Sequence, residues 1–215
     1  MLGILDSGIG GYSSLREIRR LCDRVDIVYL ADYKNAPYGV KDERTLVPIV
    51  SENIERLLSL GCERVLIACC TASAMHKHLR WELAERSTEI ISPTVKEISK
   101  SGASRVTLIA TERTVMSSAF DSVSRFASLT KISAQPLVSI VERGAWEDEY
   151  ISALVGRIRE STPDTLILGC THFSYIEKRL RQELPNINIV SPATLGAREG
   201  ARGINNLGTC RVEYI

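Results

Sequence analysis

Two aliphatic runs in this chain end in the same way. Val65-Leu66-Ile67-Ala68 leads into Cys69-Cys70-Thr71-Ala72, and Leu166-Ile167-Leu168-Gly169 leads into Cys170-Thr171-His172. Each run is too short for a helix, and its hydrophobicity is continuous rather than alternating. That is how a strand reads when both of its faces are buried in a parallel sheet. Parallel neighbours need long crossover connections, usually helical, which commits the chain to an α/β architecture. In open α/β sheets ligands bind at the carboxyl ends of the strands. Each run therefore delivers a cysteine to the end of a strand where a ligand site is expected.

The rest of the pattern agrees. Strands are expected at 2–5, 26–30, 105–110 and 187–190, besides the two that end at Cys69 and Cys170. Leu15, Ile18 and Leu21 mark one helix face, and residues 46, 50, 54, 57 and 58 mark another. Helices are also expected over 72–86, 114–126, 147–159, 175–184 and in the tail. Ile90 and Ile91 read as the start of a short strand that Pro93 ends, and 132–138 reads as strand-like before a loop at Glu142. The expectation is an α/β protein of two similar doubly wound parallel-sheet domains with a cleft between them. The first would comprise residues 1–92 plus 191–215, and the second residues 93–190.

Composition narrows the function. Among 215 residues, 27 Lys and Arg nearly cancel 26 Asp and Glu, so the charge balance supports neither nucleic acid nor an anionic membrane as the partner. No apolar run approaches the roughly 20 residues that span a bilayer. The first residues, Met1-Leu2-Gly3-Ile4-Leu5-Asp6, lack the pattern of a signal peptide, so the cytoplasm is the expected location. The six cysteines show no metal-ligand spacing, and in a reducing compartment they read as free thiols rather than a zinc site or disulfides.

Paired thiols suit one reaction well. Removing a proton from a carbon beside a carboxylate needs a base on one face, and returning it to the other face needs an acid there. A free thiol titrates near pH 8.5, so such a pair needs polar helpers. Asp6, Glu142 and His172 stand at or near strand ends. Ser7, Thr71, Thr114 and Thr171, with turn amides around Gly8 and Gly39, could donate to charge developing on a substrate.

Six segments in order carry a resemblance. They are Leu5-Asp6-Ser7-Gly8-Ile9-Gly10-Gly11, Ala36-Pro37-Tyr38-Gly39, Ala68-Cys69-Cys70-Thr71-Ala72-Ser73, Ile109-Ala110-Thr111-Glu112-Arg113-Thr114-Val115, Val141-Glu142-Arg143-Gly144 and Leu168-Gly169-Cys170-Thr171-His172. Over nearly its whole length the chain resembles the glutamate racemases, part of a wider group of cofactor-independent amino-acid racemases. The resemblance implies that Cys69 and Cys170 are the acid/base thiols, with Asp6 assisting Cys69, and His172 and Glu142 assisting Cys170. It further implies that Ser7, Pro37, Tyr38, Gly39, Cys70, Thr71, Thr114 and Thr171 contact a small amino-acid substrate. No cofactor and no metal are expected, and a homodimer is left open. D-Glutamate made this way would supply peptidoglycan.

The sequence departs from that family where an asparagine normally follows the first cysteine: here it is Cys70, a weaker hydrogen-bonding group. Arg113 stands where glycine is common. An aspartate or other carboxylate racemase, or a catalytically weak binding protein, are the alternative readings. Among the remaining residues, Cys22, Cys62 and Cys210 read as structural and Trp81 and Trp146 as packing residues. His76 and His78 read as an exposed pair rather than metal ligands.

Overall fold

In the computed structural model, residues 1–22, 24–145, 148–204, 208–209 and 211–215 are described. The readings at Trp146 and Cys210, and the helix start at Glu147, lie outside them.

The first series runs β1 (Leu2–Asp6), α1 (Tyr12–Leu21), β2 (Ile27–Ala31), α2 (Glu43–Ser59), β3 (Arg64–Ile67), α3 (Cys70–Ser73), α4 (Trp81–Glu85), β4 (Ser87–Glu89) and α5 (Ile91–Ser101). A second series follows with β5 (Arg105–Ala110), α6 (Glu112–Met116), β6 (Ser128–Ser133), α7 (Pro136–Glu142), α8 (Glu149–Glu160), β7 (Thr165–Gly169), α9 (Glu177–Glu183) and β8 (Asn188–Val190). The chain then returns through α10 (Pro192–Gly200) and β9 (Val212–Tyr214) to the first sheet. Among the described residues, no helix is long and apolar enough to cross a membrane.

Strand order is β4-β3-β1-β2-β9 in one sheet and β6-β5-β7-β8 in the other, and every pairing is parallel. Each sheet is doubly wound, because the chain leaves its first strand toward one edge and later returns to that strand's other side. The connections after β1 and β3 therefore diverge to opposite faces, and so do those after β5 and β7. Such a switch of direction opens a crevice at the carboxyl ends of the two strands. These two crevices hold the segments that begin at Asp6, Cys69, Thr111 and Cys170.

The two faces of a strand explain the core. Along β1 and β3, Ile4, Leu66, Ala68 and Cys70 pack with Ile18 and Ala197, while Leu5, Ile67 and Cys69 pack with Val50, Ile54 and Leu57 of α2. The period of two thus sends Cys69 and Cys70 to opposite faces. The α2 cluster continues into Val106, Leu108, Ala110 and Ile167 of the second sheet. One apolar core therefore runs between the two sheets, backing the crevices. Burying this surface, at roughly 25 cal/mol per Å² of apolar area, is the main force that holds them together.

Several local expectations change. The Glu89 side chain accepts from the backbone of Ile91 and of Ser92, the latter at 2.8 Å, so Ile90 and Ile91 open α5 instead of forming a strand. Pro93 is tolerated there because the first helical turn has no internal acceptors for its N–H groups. The helix expected over 72–86 is broken between α3 and α4. Ser73 donates to the Ile67 carbonyl at 2.9 Å, and Leu79 and Arg80 are extended. The helix expected over 114–126 stops at Met116, and the tail adds β9 after α10. Pro136 begins α7, which places Glu142 at a helix end rather than in a loop. Trp81 is exposed and is not a packing residue. Cys22 and Cys62 are buried free thiols.

Candidate active site

A cleft of about 300 Å³ opens where the carboxyl ends of both sheets meet. Its lining brings together Ser7 after β1, Cys69 after β3, and Cys170 and His172 after β7. Glu142 at the end of α7 joins them, and so do Pro37, Tyr38, Gly39 and Thr71. Four other sequence candidates stand behind the lining. Asp6 is wholly buried, Thr114 and Thr171 act through neighbours, and Cys70, the first residue of α3, packs away from the cleft with Ile4, Tyr29 and Ile90. Arg113 also lies outside the lining, where its Nε donates to the Lys41 carbonyl at 2.7 Å.

The two thiols have different partners. Cys69 Sγ lies 3.7 Å from the Ser7 hydroxyl. Burial pushes its pKa up to about 11, with the Asp6 charge adding to the rise, while the amides of Ala72 and Thr71 and the Ser7 hydroxyl pull the other way. Cys170 Sγ lies 3.7 Å from His172 Nδ1, and the other ring nitrogen, Nε2, is 2.6 Å from Glu142 Oε1. With Nε2 donating to Glu142, Nδ1 is left to accept from the thiol. Burial and then the nearby Cys69 charge hold the Cys170 thiol well above its usual value, opposed by the amides of His172 and Phe173. Both sulfurs therefore favour the protonated state.

Asp6 ties the halves together. Its carboxylate accepts from the Gly8 amide at 3.0 Å and from the Thr171 hydroxyl, across the cleft floor, at 3.1 Å. Burial raises its pKa, opposed by His172 when that ring is protonated and by the Gly8 amide, the Thr171 hydroxyl and the Gly11 amide. The turn that permits this contact needs Gly10, where an added Cβ would come within 2.3 Å of Thr171 Oγ1 and 2.8 Å of His172 Nδ1.

A labelling profile reads the Cys69 environment directly. Iodoacetamide modification of Cys69 in the ligand-free protein is expected to climb about tenfold per unit between roughly pH 7 and 10, since only the thiolate reacts. Tandem mass spectrometry separates Cys69 from Cys70 on the same peptide. A plateau near pH 9 would contradict the burial argument.

Cleft-lining segments are braced from behind. Thr71 Oγ1 is 3.0 Å from Thr111 Oγ1 and 3.3 Å from Thr114 Oγ1, which links the end of β3 to the end of β5. The loop carrying Pro37, Tyr38 and Gly39 is anchored by Asp32. That carboxylate accepts from Tyr38 Oη at 2.6 Å, from Asn53 Nδ2 at 2.8 Å and from Asn35. Burial acts to raise the Asp32 carboxyl, but the hydrogen bonds from Tyr38, Asn35 and Asn53 outweigh it and hold it below the usual range.

Asp32→Ala strands buried donors and is expected to cost about 1–3 kcal/mol in urea unfolding. A depressed carboxyl contributes stability above its unfolded pKa of about 3.9 and loses it as pH falls through the folded value. The gap between wild type and Asp32→Ala should therefore narrow below about pH 4.

Sequence reasoning missed Tyr33, Ala36, Thr111, Gln135, Val138, Ser139 and Arg143, all of which line the cleft. Four of them belong to α7 or its two flanking residues. With Glu142, the positions 135, 138, 139 and 142 recur at helical spacing. That period, beginning at Pro136, was the signal available, and the strand-like reading of 132–138 concealed it. Among the described residues no group of three or more His, Cys, Asp or Glu side chains could hold a metal ion.

Comparison with known proteins agrees with this geometry. The glutamate racemase of Aquifex aeolicus is 32% identical, over 99% of this chain and 86% of its own length. The crystal structure of glutamate racemase from Thermus thermophilus in complex with β-chloro-D-alanine superposes with a TM-score of 0.81 and 29% identity, covering 100% of this chain and 85% of the other. The glutamate racemase structure from Aquifex pyrophilus gives 0.83 and 30%, covering 99% and 88%. A sequence model described as Asp/Glu/Hydantoin racemase matches residues 13–200. The match takes in the ends of β3, β5 and β7 that help build the cleft; the chain belongs to the Asp/Glu/hydantoin racemase family and is a racemase, an isomerase.

Proposed function

We propose that this racemase interconverts L- and D-glutamate by moving the α-proton between two thiols. The observation that carries the reading is the placement of Cys69 and Cys170 at the ends of β3 and β7, in the lining of one cleft. One thiol, as thiolate, takes the α-proton from one face, and the other thiol delivers its proton to the opposite face. The reverse reaction exchanges the roles. Because burial disfavours both thiolates, the proton must leave sulfur as substrate enters. His172 with Glu142 serves Cys170 in this step, and Asp6 with Ser7 sets the field around Cys69. Amides and hydroxyls at Ser7, Gly39 and Thr71 meet the charge that builds on the carboxylate as the α-carbon is deprotonated, with Thr114 and Thr171 holding their neighbours in place. No step in this scheme uses a cofactor.

Substrate identity rests on the glutamate racemases that this chain matches over nearly its full length. The departure at Cys70 is compatible with that reading, because its side chain packs in an apolar cluster and is not part of the lining. The division into residues 1–92 with 191–215, and 93–190, belongs to the same proposal, supported by the membership of the two sheets. So do a cytoplasmic location and a role in supplying D-glutamate to peptidoglycan.

The test is turnover of L- and D-glutamate by purified protein, read by optical rotation and by loss of the α-proton NMR signal in D2O, beside aspartate and glutamine. Inversion of glutamate with slower turnover of the others supports the assignment. Inversion of aspartate alone would transfer the mechanism to the shorter substrate, and no inversion of any acidic amino acid would refute the reading.

A further inference from the structure

We infer that Arg143 is the specificity-determining residue that selects a substrate with a second, side-chain carboxylate. The inference rests on the two-thiol racemase reading and goes beyond it by assigning the distal group of the substrate to a residue. Among the described lining residues, only Arg143 and His172 can carry positive charge. His172 is occupied between Cys170 and Glu142. Glu142 is itself engaged with the imidazole, 2.6 Å away, and adds a negative charge to the wall. A dicarboxylate brings more negative charge than the ammonium group offsets, so a cleft with a carboxylate in its wall and no compensating cation would repel it. Arg143 supplies that cation.

Its position suits the task. Arg143 follows the last residue of α7, and its backbone N–H donates to the Ser139 and Val141 carbonyls, which fixes where the side chain departs. Gln135, Val138 and Ser139 line the cleft from the same helical segment, so one wall of the cleft is built by α7 and its flanks. In this assignment the reacting carbon sits between Cys69 and Cys170, and the substrate's side chain extends along this wall. A guanidinium is fitted to a carboxylate because two parallel N–H donors meet its two oxygens. Arg143 is exposed, so water screens the pairing and its effect on affinity is moderate.

Arg143→Gln and Arg143→Lys test this in the full chain, with L-glutamate, L-aspartate and L-glutamine as substrates and direct calorimetric titration of each amino acid. Arg143→Gln is expected to raise KM and Kd for glutamate by roughly tenfold with kcat little changed, the mark of binding that is equal in ground and transition states. Arg143→Lys should recover part of the loss. The preference for glutamate over glutamine should shrink by a similar factor, and raised ionic strength should weaken wild type more than Arg143→Gln. Unchanged KM and Kd for the acidic amino acids in Arg143→Gln would overturn the assignment, as would an equal loss for glutamine. Failure of the racemase reading is distinguishable: wild type would then bind an acidic amino acid in an Arg143-dependent way without inverting it.

Discussion

Cys69→Ala and Cys170→Ala each lower racemisation by about 10²–10⁴-fold, the range that a positioned acid or base contributes. Both sulfurs line one cleft, yet their surroundings differ: a Ser7 hydroxyl beside one and an imidazole beside the other. Loss of either thiol leaves a base without its opposing acid, so inversion stops while exchange of one enantiomer's α-proton with solvent persists. The two variants should preserve exchange from opposite enantiomers. Circular dichroism should be unchanged, since replacing a thiol at the cleft wall removes little core volume. The double variant Cys69→Ala/Cys170→Ala should show neither reaction. Turnover within threefold of wild type in both single variants would remove the thiols from the mechanism.

His172→Asn is expected to reduce kcat/KM by about 10²-fold. The imidazole stands between the Cys170 thiol and the Glu142 carboxylate, and no other described side chain is hydrogen-bonded to Cys170. Without it the buried thiol has no acceptor, and its already raised pKa works against ionisation. L- and D-amino acids have equal free energy in water, so kcat/KM must fall by the same factor in both directions. Exchange initiated by Cys69 survives better than inversion, and the ratio of exchange to racemisation should rise for one enantiomer alone. Glu142→Gln should have a milder effect of the same sign, because the ring nitrogens are kept and only their orientation and charge change. Equal loss of exchange for both enantiomers in His172→Asn would place the imidazole in substrate binding instead.

The sequence was most readable where burial constrained it most. The aliphatic runs before Cys69 and Cys170 have few ways to be satisfied other than as inner parallel strands, and they are β3 and β7. The period of two carried on from β3 is enough to separate Cys69 from Cys70. Short helices were harder, because tertiary contacts override local propensity. Ser73 turns its hydroxyl to the Ile67 carbonyl and Ser117 turns its hydroxyl to the Thr114 carbonyl, and a continuous helix was expected near both. β9 is three residues long, and its identity comes from pairing with β2 rather than from its own pattern. In the site, the glycine turns and both cysteine segments were legible because unusual residues mark them. The α7 wall was not, since Gln135, Val138, Ser139 and Arg143 are ordinary residues whose only sign was helical spacing. Asp32 and Asn53 escaped notice for a similar reason: their role is to hold Tyr38, and they meet only once β2 and α2 have packed.

The most direct measurement of two-thiol transfer is the isotopic content of both enantiomers at low conversion. L-Glutamate is placed with enzyme in D2O, the reaction is stopped within a few per cent of conversion, and the enantiomers are separated for mass spectrometry. If Cys69 and Cys170 act on opposite faces, the D-glutamate formed carries deuterium at Cα, supplied by the second thiol after exchange with solvent. The recovered L-glutamate gains deuterium far more slowly, because the first thiol returns most of the protons it took before they exchange with solvent. Deuterium appearing equally in both enantiomers from the start, or protium carried over into D-glutamate, would mean that one group serves both faces and would contradict the account.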